Sequence, residues 1–89
     1  MPKIIFTENL RRHLECPEGD FAGATVREVL ETVFAETPKL RSYILDDNGA
    51  VRTHVNIFVD GRMIEDRWRQ QDAVQAETEI YVMQSISGG

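Results

Sequence analysis

A single cysteine, Cys16, stands in the 89 residues of the chain, which excludes an internal disulfide and leaves the fold to noncovalent forces. No apolar run approaches the ~18 residues that a transmembrane helix needs. The opening MPKIIFTENL holds three consecutive apolar residues, where a signal peptide needs about 7 to 15, so the expected compartment is the cytoplasm. Basic residues are in deficit, 10 against 15 acidic, for a net charge of −5. That balance argues against nucleic acid or an acidic membrane surface as the main partner and favours a protein with a basic surface.

Metal chemistry is equally short of ligands. His13 and Cys16 form an H-x-x-C pair with His54 as a distant third, but a structural tetrahedral site wants four such ligands. Asp46-Asp47-Asn48-Gly49 resembles the start of a calcium loop, yet the twelfth position from Asp46 is Ile57 where a bidentate glutamate is required. It is read as a turn. Neither a metal nor a bound cofactor is expected, and Cys16, with only His13 near it to lower its pKa, is read as a small apolar filler.

What is present suits one small folded domain. Hydrophobic content is 42% and charged content 28%, ordinary values for a globular protein, and a chain of this length buries roughly 60 to 70% of its unfolded surface. One modest core fits; a deep enzyme cleft does not. Lys3 to Thr7 is β-branched and aromatic and reads as a strand. Leu14 to Ala22, interrupted by Pro17 and Gly19, reads as an irregular edge strand.

Thr25-Val26-Arg27-Glu28 is a capping box: the Thr25 hydroxyl accepts from the Glu28 amide, and the Glu28 carboxylate is expected to reach back to the Thr25 amide. Val26, Val29, Leu30, Val33 and Phe34 then fall on one helical stripe. Pro38 stops that helix, and Leu40 to Leu45 adds a short second one. Val55, Ile57 and Val59 alternate along a strand, Asp60-Gly61 is a type I′ hairpin signal, and Arg62 to Ile64 returns as a short strand. Arg67 to Gln75 is polar and irregular, and Glu79 to Gln84 is the last strand. This order predicts an α+β sandwich, a mixed sheet of four to five strands with one main helix across it.

Alternation carries one further expectation. With Val55, Ile57, Val59, Ile80 and Val82 toward the helix, Phe58, Tyr81 and Met83 point to the other face of the sheet. One helix cannot cover both faces. An exposed aromatic and methionine patch is a typical docking surface, unless the loop around Trp68 folds over it.

The stretches GATVREVLE (Gly23 to Glu31) and VNIFVDGRMI (Val55 to Ile64), followed by the terminal Gly88-Gly89, resemble in order and spacing the MoaD/ThiS-type sulfur carriers, a ubiquitin-like β-grasp family. The resemblance runs over essentially the whole chain. It implies a β-grasp domain at 1–84 and a flexible tail at 85–89 whose Gly89 is adenylated with ATP by a ubiquitin-activating-type enzyme, then converted to a thiocarboxylate that donates sulfur. The implied partners are that adenylating enzyme, a sulfur donor protein and a sulfur-accepting enzyme, with ATP belonging to the partner and the sheet face of Phe58, Tyr81 and Met83 as docking platform. The chain itself is then no enzyme but a carrier co-substrate. Its length favours molybdopterin-type or cysteine-type delivery over thiamine. A ubiquitin-like modifier joined to lysines through Gly89, and the small subunit of a pair such as molybdopterin synthase, are the alternatives.

The chemistry of such a tail is legible without the family. An α-carboxylate has a reference pKa of ~3.5 and is ionised at neutral pH, so no general base is needed to make it a nucleophile. Gly88 and Gly89 carry no Cβ, which lets the chain thread a narrow channel and turn its carbonyl freely. With Ile86 and Ser87 before them, the tail from Ser85 spans about 17 Å when extended at ~3.3 Å per residue.

Overall fold

The computed structural model describes residues 1–11 and 16–84. Its elements in chain order are strand β1 (Lys3–Phe6), helix α1 (Glu8–Arg11), strand β2 (Gly19–Asp20), helices α2 (Val26–Glu36) and α3 (Lys39–Ile44), and strands β3 (Val55–Val59), β4 (Arg62–Met63) and β5 (Glu79–Gln84). The sheet runs β2-β1-β5-β3-β4. β1 and β5 pair in parallel at its centre and the other neighbours are antiparallel, so the first and last strands of the domain lie side by side. This is the mixed sheet with one main helix that the pattern predicts, at its upper strand number.

Helix α2 starts where the capping box places it. Thr25 is extended, with φ −131° and ψ 164°, and its hydroxyl accepts from the Glu28 amide at 3.2 Å. The return contact differs from the expected one: the Glu28 carboxylate accepts from the Ala24 amide at 2.8 Å, one residue earlier. The cause is the approach to the helix, which is held extended by an isolated bridge of Thr25 to Ala73, with the Val74 amide donating to the Ala24 carbonyl. Gly23 is needed just before it, because a Cβ there would sit 2.6 Å from the Val29 backbone nitrogen. The predicted stripe is the buried face: Val26, Val29, Leu30 and Val33 are fully enclosed and Phe34 nearly so.

The helix ends at Glu36, Pro38 precedes α3, and Arg41 of α3 returns to pair with Glu31 and lie 5.6 Å from the centre of the Phe34 ring. Leu40, Ile44 and Leu45 add to the core under α2. The Asp46 loop is the turn it reads as, since the Asp46 carboxylate accepts from the Asn48 and Ala50 amides. Asp60 and Gly61 have φ of 49° and 84°, the two positive values of a type I′ turn, and the register closes on Val59 opposite Arg62.

Two expectations near the N-terminus are corrected. Leu14 to Ala22 is not strand throughout: only Gly19 and Asp20 pair, against Lys3 and Ile4, and residues 12–15 lie outside the described residues. Pro17, having no amide to donate, is unsuited to continuing the ladder, and beyond it the Phe6 amide donates to the Glu18 side chain instead of to a strand. Helix α1 has no counterpart in the predicted order. Its single turn is held by the Thr7 carbonyl, which accepts from Leu10 and Arg11, and it brings Leu10 into the core.

Candidate functional site: the open sheet face and the end of strand β5

Strand alternation divides the sheet as expected. Ile4 and Phe6 of β1, Val55 and Ile57 of β3, and Ile80 and Val82 of β5 are buried against the helices. On the opposite face Tyr81 is 40% exposed, Met83 36% and Met63 50%, while Phe58 and Ile5 are half-buried. The register aligns four of these in one row across four strands: Ile5 beside Tyr81, Tyr81 beside Phe58, Phe58 beside Met63. Directly paired residues share a face, so Ile5, Tyr81, Phe58 and Met63 form a continuous apolar band, with Met83 and Asn56 as the next pair along.

A shallow depression of about 420 Å³ lies on this band, lined by Phe58, Tyr81 and Met83 together with Asp60, Gly61 and Glu79. The structure therefore gathers the three predicted surface residues at one place. Trp68 is not among its lining residues and is 76% exposed, so its ring does not fold over the face. One margin of the band is charged, with Lys3 beside Glu79. Asp60 fixes the hairpin corner there by accepting from the Glu79 amide at 2.9 Å.

The sequence reading missed Met63 and Ile5. Met63 was within reach of it, because a two-residue turn at Asp60-Gly61 puts residue 63 opposite residue 58. Ile5 was not, because it joins the row through the parallel pairing of β1 with β5, which has no local signal. Gly88, Gly89, Ile86 and Ser87 lie outside the described residues. Gln84, opposite Val55, is the last described residue.

The loop between β4 and β5 is built on side chains that the sequence gives no reason to single out. The Asp66 carboxylate accepts from the amides of Trp68, Arg69 and Gln71, and that of Asp72 from the amides of Glu65 and Asp66. The Arg69 amide above all, with Gln71, Trp68 and the Arg69 charge, holds the Asp66 carboxyl below the usual carboxylate range against a smaller opposing effect of burial. Gln70 is fully buried at φ 53°. Its side chain donates to the carbonyls of Gly49 and Arg67 and accepts from Arg27 at 2.7 Å, tying α2 to two loops. Arg67 closes the open edge of β3 by donating to the Val55 and Arg52 carbonyls.

The remaining candidates for chemistry do not assemble. Among the described residues no group of three His, Cys, Asp or Glu is placed to hold a metal ion, and His13 lies outside them. Cys16 is half-buried, and burial first, then the Glu18 charge, push its thiol up, with Arg11 opposing. A thiol so placed is protonated at neutral pH and a poor nucleophile. Among the described residues no helix is long and apolar enough to cross a membrane.

A five-stranded mixed sheet with β1 and β5 parallel at its centre and one long helix across one face is the β-grasp fold of the ubiquitin-like proteins. Solved structures of that fold superpose over nearly the full length. SAMP1 from Haloferax volcanii matches at 23% identity and a TM-score of 0.78, covering 99% of this chain and 98% of that one. The small archaeal modifier protein 1 of Methanosarcina acetivorans matches at 23% and 0.80, covering 99% and 95%. A chain of the BexX/CysO complex of Amycolatopsis orientalis matches at 16% and 0.84, covering 100% of both. The ThiS family model matches residues 8–89, and the chain belongs to the ThiS family. A comparison with curated proteins returned no match.

Proposed function

We propose that this protein is a sulfur carrier, activated at the α-carboxylate of Gly89 and docked on its activating enzyme through the open sheet face. The observation that carries the reading is the family match extending from residue 8 through Gly88-Gly89. An exposed apolar band on β3 and β5, the strand from which the tail continues, supports it.

In the proposed sequence a Gly89 carboxylate oxygen attacks the α-phosphorus of ATP and expels pyrophosphate, leaving an acyl adenylate. Hydrosulfide, or a protein persulfide, then attacks the glycyl carbonyl and expels AMP. Hydrosulfide gives the thiocarboxylate directly after loss of a proton; the persulfide gives an acyl disulfide whose S–S bond a thiol reduces to the same product. The catalytic groups belong to the partners. This chain contributes a reactive terminus without side chains, a span of about 17 Å to carry it into a recessed site at ~3.3 Å per residue, and a surface to be gripped. Molybdopterin-type or cysteine-type delivery remains the favoured destination.

A second reading, a modifier joined to lysines through Gly89, draws support from the fold likeness to two proteins named small archaeal modifiers. Adenylation precedes both outcomes. Incubation with a matching adenylating enzyme, ATP and a sulfur source, followed by intact mass measurement, separates them: replacement of one oxygen by sulfur is expected. Recovery solely as branched Gly-Gly adducts on lysines would establish the modifier. Removal of Gly88 and Gly89 is expected to leave the thermal melt unchanged and to abolish ATP–pyrophosphate exchange; an unchanged exchange rate would refute the proposed role of Gly89.

A further inference from the structure

Where β5 ends, a second and chemically different surface meets the root of the tail. A depression of about 260 Å³ is lined by Ser42 and Tyr43 of α3, Arg52 and His54 of the segment leading into β3, and Gln84. Arg52, His54, Tyr43 and Gln84 are half-buried, and no acidic residue is among the lining residues. The Arg52 Nε donates to the Ser42 carbonyl at 2.7 Å, and the Arg52 carbonyl is held by Arg67 at 2.6 Å. The Nε bond fixes one edge of the guanidinium. Among the described residues its two terminal nitrogens, the His54 imidazole, the Tyr43 hydroxyl and the Gln84 amide have no hydrogen-bond or ion-pair partner.

These half-buried groups line one depression and are open to a ligand from outside. Here the fixed cation selects the ligand. A guanidinium held through Nε presents its two terminal N–H groups as a fork that fits a carboxylate bidentately. Because the side chain is already ordered, less conformational entropy is lost when the pair forms. Position supplies the rest, since Gln84 immediately precedes residues 85–89. Whatever protein encloses those five residues must lie against the end of β5, within reach of Arg52.

We infer that Arg52 and His54, with Tyr43 and Gln84, form a carboxylate-binding site that takes an aspartate or glutamate side chain of the adenylating enzyme at the mouth of its channel for residues 85–89. The inference rests on the activation reading given above. It assigns a division of labour between two surfaces: the apolar band supplies area, and the cationic collar at the tail root fixes direction and selects among adenylating enzymes. Charged contacts at interfaces act on encounter and partner choice more than on the chemical step, so Arg52 is a positioning residue.

The test is ATP–pyrophosphate exchange by a ubiquitin-activating-type enzyme from the same genome, with the concentration of the full chain varied. R52E and H54A are expected to raise KM, R52E by about tenfold or more, with kcat within about twofold of wild type. R52K should recover part of the loss, and added salt should narrow the gap between wild type and R52E. Among the described residues the His54 side chain has no hydrogen-bond partner, so H54A keeps the test valid if R52E melts early. An unchanged KM in both R52E and H54A overturns the inference. So does a fall in KM, which would mean that the collar holds the chain's own terminus, or a loss confined to kcat. Absence of exchange with the wild-type chain removes the activation reading and this inference together. Normal wild-type exchange matched by both R52E and H54A removes the inference alone.

Discussion

The two faces of strand β5 are written in one six-residue segment and do opposite things. Ile80 and Val82 are fully buried in the core with α2, where apolar surface removed from water contributes to stability at roughly 25 cal/mol per Å². Tyr81 and Met83, one position along in each case, stay 40% and 36% exposed. β3 repeats the division, with Val55 and Ile57 enclosed and Phe58 half-covered. On these two strands the inner residues are branched aliphatics, shaped to fill a closed space. The apolar residues of their outer face are aromatic or sulfur-containing, which suits a surface that must make contact with something outside the chain. The sheet thus has one face that holds the domain together and one that is left over for recognition.

Substitution on each face should separate the two roles. Ile57→Ala is expected to have the largest effect on stability, about 2–5 kcal/mol, because it opens a cavity in a closed core. Equilibrium denaturation in urea would measure it. At concentrations where the variant is folded, its KM in the adenylation assay should match wild type. Tyr81→Ala is the reciprocal case: stability changes by less than about 1 kcal/mol, while KM rises about tenfold, as for loss of an aromatic anchor at an interface. The comparison breaks if Tyr81→Ala unfolds the domain with no effect on KM, or if Ile57→Ala leaves the melt in place.

How much of this was legible in the chain depends on whether the signal is local. The α2 stripe and its Thr25 cap, and the type I′ corner at Asp60-Gly61, are each set by residues within one or two turns of one another, and all three were readable. Phe58, Tyr81 and Met83 followed from alternation alone. Ile5 did not, because its place in the row depends on β1 lying beside β5, a pairing across most of the chain that no short pattern encodes. The β4–β5 loop was opaque for a different reason. Its sequence is polar and irregular, with no pattern to single out a buried residue, whereas Gln70 is fully buried at a left-handed φ, its side chain bonded to Arg27, Gly49 and Arg67. The collar at Arg52 and His54 was missed likewise: its members come from α3, the run into β3 and the end of β5, and only the fold brings them together.

The smallest expected effect tests whether the outer face is bare in solution. The loop carrying Trp68 is held by the Asp66 carboxylate, which accepts from the Trp68, Arg69 and Gln71 amides and is held below the usual carboxylate range, chiefly by the Arg69 amide. A carboxyl whose folded pKa is depressed adds stability that is fully present above its unfolded value of ~3.9 and is lost as pH falls through the folded value. In acid below the ordinary carboxylate range, the amide resonances of Trp68, Arg69 and Gln71 should therefore shift together as the loop is released. Asp66→Asn should abolish that acid transition. The ring resonances of Phe58 and Tyr81 should not follow it, because Trp68 does not line the depression on their face. Ring signals that move with the loop amides would show that the loop does cover the band, and the division between a packing face and a recognition face would then fail.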